Sequence, residues 1–422
     1  MNVRRRSSAA ALATIAVIGA AAAPAVAADP SSSPSASAPS APESSGLYGT
    51  ADPQYDGVWR QSLALLAQKT VGVTPSSKAV DWLTGQQCAS GAFAPYRADP
   101  AKACDAKTMV DTNNTAAAIQ ALWAVGGHGD VVESALTWLK SVQNKDGGWG
   151  YTPGGPSDAN STSIVIGALT ATASKPEQVE KGGKTPYDAL LTFALPCAED
   201  KGSGAFAFQP DKDGKLLANA DATAAGVLGA LGKGLVTEAG KATGDATCAD
   251  AKKPTREQAA ANGAAYLAGA VAKDGHLKSA LGGSADQPDY GNTADAVVAL
   301  AAQGGAEKAA KPLAWLKKNA AKWAEQSGPA AYAQLIFAAH ATGTDPRAFG
   351  GTDLVARLNA TGPSPRGGEM RDSATVGAED AAQENDDKDD SGFGVWWFVG
   401  VCLVFGIGIG FLLSGRNKKQ QP

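Results

Sequence analysis

Apolar and polar positions recur in two patterns between residues 47 and 360. The first is an aromatic–Leu pair followed by Gln, Gly and a second aromatic. It reads Trp82-Leu83, Gln87, Gly91, Phe93, and again Trp138-Leu139, Gln143, Gly147, Trp149. A third copy keeps the spacing with changed residues: Tyr266-Leu267, Val271, Gly275, Leu277. Such spacing predicts a helix end. The aromatic–Leu pair sits on the buried stripe, Gln follows one turn on, and Gly stops the helix because it tolerates positive φ. The last aromatic then folds back onto the neighbouring unit. The units containing Phe193 and Trp315 are degraded copies.

The second pattern alternates with the first. Asp111-x-Asn113-x-Thr115, Asp158-x-Asn160-x-Thr162, Asn219-x-Asp221-x-Thr223 and Asp289-x-Gly291-x-Thr293 each precede an Ala-rich apolar run. Asp, Asn and Thr before such a run are helix N-cap chemistry. These second helices are apolar nearly all round, as buried helices are. The aromatic–Leu helices carry more Lys and Glu and are expected outside them.

Taken together, the patterns predict about a dozen helices. Inner helices are expected to begin near Val58, Asn114, Ser161, Ala220, Asn292 and Pro329. Outer ones are expected near Lys78, Val131, Pro186, Thr255, Glu307 and Gly351. A supersecondary unit repeating at about fifty residues implies a stacked or closed array. Six inner–outer pairs give an all-α fold, an α6/α6 toroid over residues 47–360.

The flanks have a different composition. Arg4-Arg5-Arg6, the apolar run 9–23 and Ala25-Val26-Ala27 read as a cleaved signal peptide over residues 1–27. Residues 28–46 are a Pro/Ser-rich spacer. Residues 361–391 are charged and lack aromatics, the composition of a disordered acidic stalk. Residues 395–413 hold no charge and are long enough to cross a bilayer core of about 30 Å. Trp396 and Trp397 sit at the outer edge of this span. Arg416, Lys418 and Lys419 follow it, which puts the tail 414–422 in the cytoplasm. Leu358-Asn359-Ala360-Thr361-Gly362 has the spacing of a sortase signal, but Asn replaces the usual Pro, and closure of the last helix is the better reading. The expected localisation is a single-pass membrane protein with its toroid outside.

Four cysteines lie in the exported part, Cys88, Cys104, Cys197 and Cys248, and their even number suggests two disulfides with three possible pairings. Cys88–Cys104 and Cys197–Cys248 are the sequence-local choice. Each is expected to staple an insertion between an outer helix and the next inner one. Net charge is −4, which argues against nucleic acid as a partner.

The repeated aromatic–Leu, Gln, Gly, aromatic spacing resembles the QW motif of the prenyltransferase and squalene-cyclase superfamily. The resemblance covers residues 47–360. It implies an α/α toroid in which the motif residues hold outer helices together, and it specifies no single activity. A cyclase of that superfamily implies an Asp-x-Asp-Asp acid in the cavity. The one match, Asp387-x-Asp389-Asp390, falls in the stalk. A prenyltransferase implies an Asp/Cys/His zinc site, yet His128, His276 and His340 are scattered, without ligand spacing. The thioester run of other members is absent. His340, on an apolar inner helix, reads as a core or cavity-wall residue. Asp211-x-Asp213-Gly214 reads as a turn rather than a calcium loop. On these grounds no catalytic residue, metal site or cofactor is assigned, and an enzyme is not the favoured reading.

The favoured reading is a ligand-binding toroid. Inner-helix N-termini gather at one mouth and present free N–H groups. Asp111, Asn113, Asn160, Asn219, Asp221 and Asn292 belong to that rim, with Trp149, Tyr151 and Tyr290 in the loops feeding it. Aromatic faces beside amides suit a large, partly apolar ligand. The exported, disulfide-bearing members of the superfamily are similar to cobalamin carriers. This resemblance implies capture of a small molecule, with a corrinoid as transported ligand and an uptake transporter as partner. A terpenoid cyclase or prenyltransferase-like enzyme is the alternative, and a structural or protein-interaction module is the second alternative.

Overall fold

A computed structural model describes residues 45–198, 202–242, 244, 247–250, 254–280 and 286–367. The expected signal peptide, most of the spacer, the stalk beyond residue 367, the apolar span and the tail lie outside the described residues. Among the described residues no helix is long and apolar enough to cross a membrane.

Thirteen α-helices are present among the described residues. Six of them form the inner ring: α1 (Gly57–Thr70), α3 (Thr112–Val125), α5 (Ala159–Ala171), α7 (Ala220–Ala230), α9 (Tyr290–Gly304) and α12 (Pro329–Ala341). Each packs on the next, and α12 packs back on α1, so the ring is closed. Outside it lie α2 (Ser77–Gly85), α4 (Gly129–Ser141), α6 (Pro186–Leu191), α8 (Arg256–Val271), α10 (Ala310–Asn319) with the short α11 (Ala321–Ser327), and α13 (Leu354–Asn359). All twelve expected starts fall within three residues of the observed ones. The last outer helix begins at Leu354, within one turn of its expected place, Gly351. Helix α11 was not expected. The one strand pair is short, Leu277–Lys278 against Pro288–Asp289.

Burial explains the two layers. Every residue of α3 from Thr112 to Leu122 is buried, whereas α4 buries only Val132, Ala135, Trp138 and Leu139. A one-sided apolar stripe is what an outer helix needs, and small apolar residues all round suit a helix packed between neighbours. The ring is latched where the described chain begins and ends. Gly49 N–H donates to the Thr361 carbonyl at 2.8 Å, and Gln68 Nε2 donates to Asn359 Oδ1 at 2.7 Å.

The two sequence patterns interlock through one repeated set of hydrogen bonds. Asp111, Asp158, Asn219 and Asp289 cap α3, α5, α7 and α9 by accepting from the third residue on. Four residues after each cap, the Thr hydroxyl accepts the N–H of the motif's final residue: Phe93 to Thr115 (3.0 Å), Trp149 to Thr162 (3.1 Å), Phe206 to Thr223 (2.9 Å) and Leu277 to Thr293 (3.0 Å). A Thr there satisfies a donor that would otherwise be buried unpaired. The unit containing Phe193 is therefore less degraded than its sequence implies.

Gln ties one outer unit to the next. Gln87 Nε2 donates to the carbonyls of Gly91 (3.0 Å) and Val131 (2.8 Å). Gln143 Nε2 repeats this with Gly147 (2.8 Å) and Val179 (3.2 Å). Gly91 and Gly147 have φ of +93° and +90°, and a Cβ on either would collide with a backbone carbonyl, of Ser134 or Thr185. Both the turn and the close approach exclude a side chain.

Both expected disulfides are formed, Cys88–Cys104 and Cys197–Cys248. The first staples the insertion between α2 and α3, as expected. The second does not lie between one outer helix and the next inner one. It encloses inner α7, joining the segment after α6 to the segment before α8. Both halves approach because α6 and α8 are neighbours in the outer layer.

Candidate functional site

Ring closure directs one stripe of each inner helix into a central cavity of about 150 Å³. Register from the cap residue decides which positions line it. Two residues on, Asn113, Asn160 and Asp221 face inward; six on, Ile164, Ala225 and Asp295; nine on, Leu228 and Val298. Trp59 and Leu63 of α1 and Gln334 and Phe337 of α12 complete the wall. The floor is the loop after α7. Lys233, Gly234 and Leu235 reach under the ring, where Leu235 N–H donates to Gln120 Oε1 at 2.9 Å. Gly167 of α5 leaves room for it, since a Cβ there would lie 2.8 Å from Gly234 Cα.

The lining is apolar with a polar band towards the helix N-termini. In that band Asn160 Nδ2 donates to Asp221 Oδ2 at 2.6 Å. Asp295 lies one turn deeper than Asn292 on α9. Gln334 Nε2 donates to both of its carboxyl oxygens, at 3.3 and 3.2 Å. Burial and the nearby Asp221 charge push the Asp295 carboxyl up to about 7. Asp221 is also raised by burial, and the Asn160 bond opposes that shift. Two carboxyls facing one low-dielectric space do not both ionise easily. The short amide bond favours charge on Asp221, which leaves the proton on Asp295. Among the described residues no group of three or more His, Cys, Asp or Glu is placed to hold a metal ion.

Of the nine rim residues expected from sequence, Asn113, Asn160, Asp221 and Asn292 line the cavity. The other five do not. Asp111 and Asn219 are caps whose side chains turn back to their own helices. Burial raises Asp111 to about 6, and its carboxyl also holds the Tyr151 hydroxyl, which keeps that ring off the cavity wall. Trp149 is buried under the outer layer, its indole N–H donating to the Leu139 carbonyl at 2.7 Å. Tyr290 begins α9 rather than lying in a loop, and stacks between Trp315 (4.9 Å) and Trp323 (5.5 Å). His340 lines a separate depression near Thr70 and Arg347, not the central cavity.

Sequence reasoning missed Asp295. It sought contiguous Asp-x-Asp-Asp, whereas the carboxyls here come from two inner helices that ring closure brings together. A signal was present: an Asp inside the apolar run 294–300, two residues after the Thr of the fourth cap pattern.

No family model matches the chain. Drimenyl diphosphate synthase of Streptomyces showdoensis is 32% identical over 110 residues, which are 24% of this chain and 19% of that protein. The chain thus aligns with about a fifth of the curated relative's length. Among solved structures, ent-copalyl diphosphate synthase from Streptomyces platensis has a TM-score of 0.46 at 15% identity, over 68% of this chain and 51% of that one. A type II terpene cyclase from Scytonema has a TM-score of 0.41 at 12% identity, over 65% and 74%. The 110-residue alignment with a terpene synthase agrees with the resemblance of the repeats to the prenyltransferase and squalene-cyclase superfamily.

The favoured sequence reading, a surface toroid that captures a small molecule such as a corrinoid for uptake, is overturned. Its likeness is to a terpene synthase. At α3, α5, α7 and α9 one of the N–H groups expected to greet a ligand is taken by the cap side chain instead.

Proposed function

We propose that the toroid is a terpenoid-cyclase-like enzyme in which Asp295 protonates a carbon–carbon double bond of an isoprenoid. One observation carries this: a carboxyl held up at about 7 inside a mainly apolar cavity, beside a second carboxyl with its own amide partner. Pairs of acids pushed apart by their surroundings are how one site keeps a proton donor and a charged group together. The Asp295 O–H breaks and a C–H bond forms at the alkene. A neighbouring double bond attacks the resulting cation, closing a ring. Loss of a proton, accepted by ionised Asp221, regenerates an alkene, so the sum is an isomerisation without co-reactant. The apolar wall of Leu63, Ile164, Leu228, Val298 and Phe337 keeps water from the cation.

The flanking sequences support display of this toroid outside a membrane, anchored through residues 395–413. The two disulfides suit that compartment.

The test is to incubate the full-length chain in detergent with linear C10–C20 isoprenoids and resolve products by gas chromatography and mass spectrometry. Cyclic isomers of unchanged mass are expected. Asp295→Asn should abolish them without abolishing substrate binding, and turnover should fall as pH rises through about 7. Undiminished product from Asp295→Asn would refute the assignment, as would a folded wild type that converts none of them.

A further inference from the structure

The polar band of the cavity offers acceptors that nothing in the fold uses. Among the described residues, Asn113 Oδ1, Asn160 Oδ1 and Ser163 Oγ are buried without a hydrogen-bond partner, and all three residues line the cavity. They are 4%, 8% and 4% exposed. For Asn160 the orientation is fixed, because its Nδ2 is committed to Asp221. Its oxygen therefore points elsewhere. Three orphaned polar atoms on α3 and α5 are more than chance burial supplies, since buried polar groups are almost always paired.

The charge of the same space selects the chemistry. Two carboxyls, Asp221 and Asp295, line it against a single cation, Lys233, which belongs to the floor. The helix N-termini at the mouth would ordinarily attract an anion. Here Asp111, Asp158 and Asp289 each already take a first-turn N–H of α3, α5 and α9 and add their own charge. A diphosphate placed there meets carboxylates. A hydroxyl meets three acceptors.

We propose that Asn113, Asn160 and Ser163 form a collar that binds a hydrogen-donating head group, so that the substrate is a neutral isoprenoid alcohol rather than a prenyl diphosphate. This rests on the cyclase-like reading of the same cavity and adds the substrate class to it. Counted from the caps, Asn113 and Asn160 sit about 6 Å above Asp295 along the helix axis, four residues at 1.5 Å each, and Ser163 sits one residue above it. An alcohol held there directs the chain's carbon skeleton down the apolar wall past the acid.

The experiment measures equilibrium binding of radiolabelled farnesol, farnesyl methyl ether and farnesyl diphosphate to the full-length chain in detergent. The Asp295→Asn variant is measured alongside, so that turnover is not required. Farnesol is expected to bind about tenfold tighter than either analogue, because the ether cannot donate and the diphosphate is repelled. Asn160→Ala and Asn113→Ala should bring the alcohol-to-ether ratio towards one. The ligand series on wild type stands alone if either variant fails to fold. Equal binding of alcohol and ether, or tighter binding of the diphosphate, overturns the proposal. Alcohol preference without any cyclised product would instead sink acid catalysis by Asp295 and leave the collar assigned.

Discussion

Replacing Asp295 by Asn should stabilise the protein at alkaline pH and do less at acid pH. The carboxyl titrates near 7 in the folded state against 3.8 unfolded, so folding raises its pKa. The folded state then binds more protons than the unfolded one between those values, and stability falls as pH rises through that window. About three units at about 1.4 kcal/mol each set an upper bound of about 4 kcal/mol by pH 8. Relaxation around the buried ion brings the expected difference to about 2 kcal/mol. Asn keeps the shape and can still accept from Gln334, so little else changes. Asp111, Asp158 and Asp289, each raised to about 6 mainly by burial, titrate in both proteins and cancel in the comparison. The assay is urea unfolding followed by tryptophan fluorescence at pH 5 and pH 8. The variant's midpoint should be higher at both, by roughly a third as much at pH 5 as at pH 8, because pH 5 lies only partway through the window from 3.8 to about 7. A variant equal to or weaker than wild type at pH 8 would show that Asp295 is not held protonated by its cavity.

Two further outcomes test the architecture. Thr162→Val deletes the hydroxyl that accepts the Trp149 N–H, leaving a buried donor unpaired; a loss of about 1–3 kcal/mol is expected from chemical denaturation, and a loss below 0.5 would deny the cap–Thr–aromatic link. Replacing Cys197 and Cys248 by Ser should cost about 4 kcal/mol and replacing Cys88 and Cys104 about 3, because they enclose 51 and 16 residues of chain; thermal midpoints in the reverse order would refute a chain-entropy origin.

Most of the fold was legible because it is written as a code in short-range spacings. A cap, a Thr four residues on and a Gly-x-aromatic upstream each have a local reason, and together they connect three consecutive segments of chain. The inner helix starts were therefore readable to within a turn. Degraded units were harder because only part of the code survives there. The unit of Phe193 lacks the Gln, yet Gly204 still turns at positive φ and the Phe206 N–H still meets Thr223 as the pattern requires. The path of the second disulfide was not legible. It depends on α6 and α8 lying side by side, which a list of cysteines does not state.

The candidate site was legible only at its rim. Polar residues beside helix caps stand out in any sequence, and four of those chosen do face the cavity. What decides the chemistry, though, is depth, and depth is set by register against a closed ring. Counted from its cap, Asp295 occupies the position held by Ala117, Ile164 and Ala225 in the other inner helices. Three of the four put an apolar group there, so the wall is suited to hydrocarbon and the one carboxyl among them is the group with no structural reason to be present. Caps, turns and the Gln ties each have partners that account for them. A buried acid kept at about 7 by its own surroundings costs stability at neutral pH, and a residue that weakens the fold from the wall of a central cavity is where a reaction should be sought.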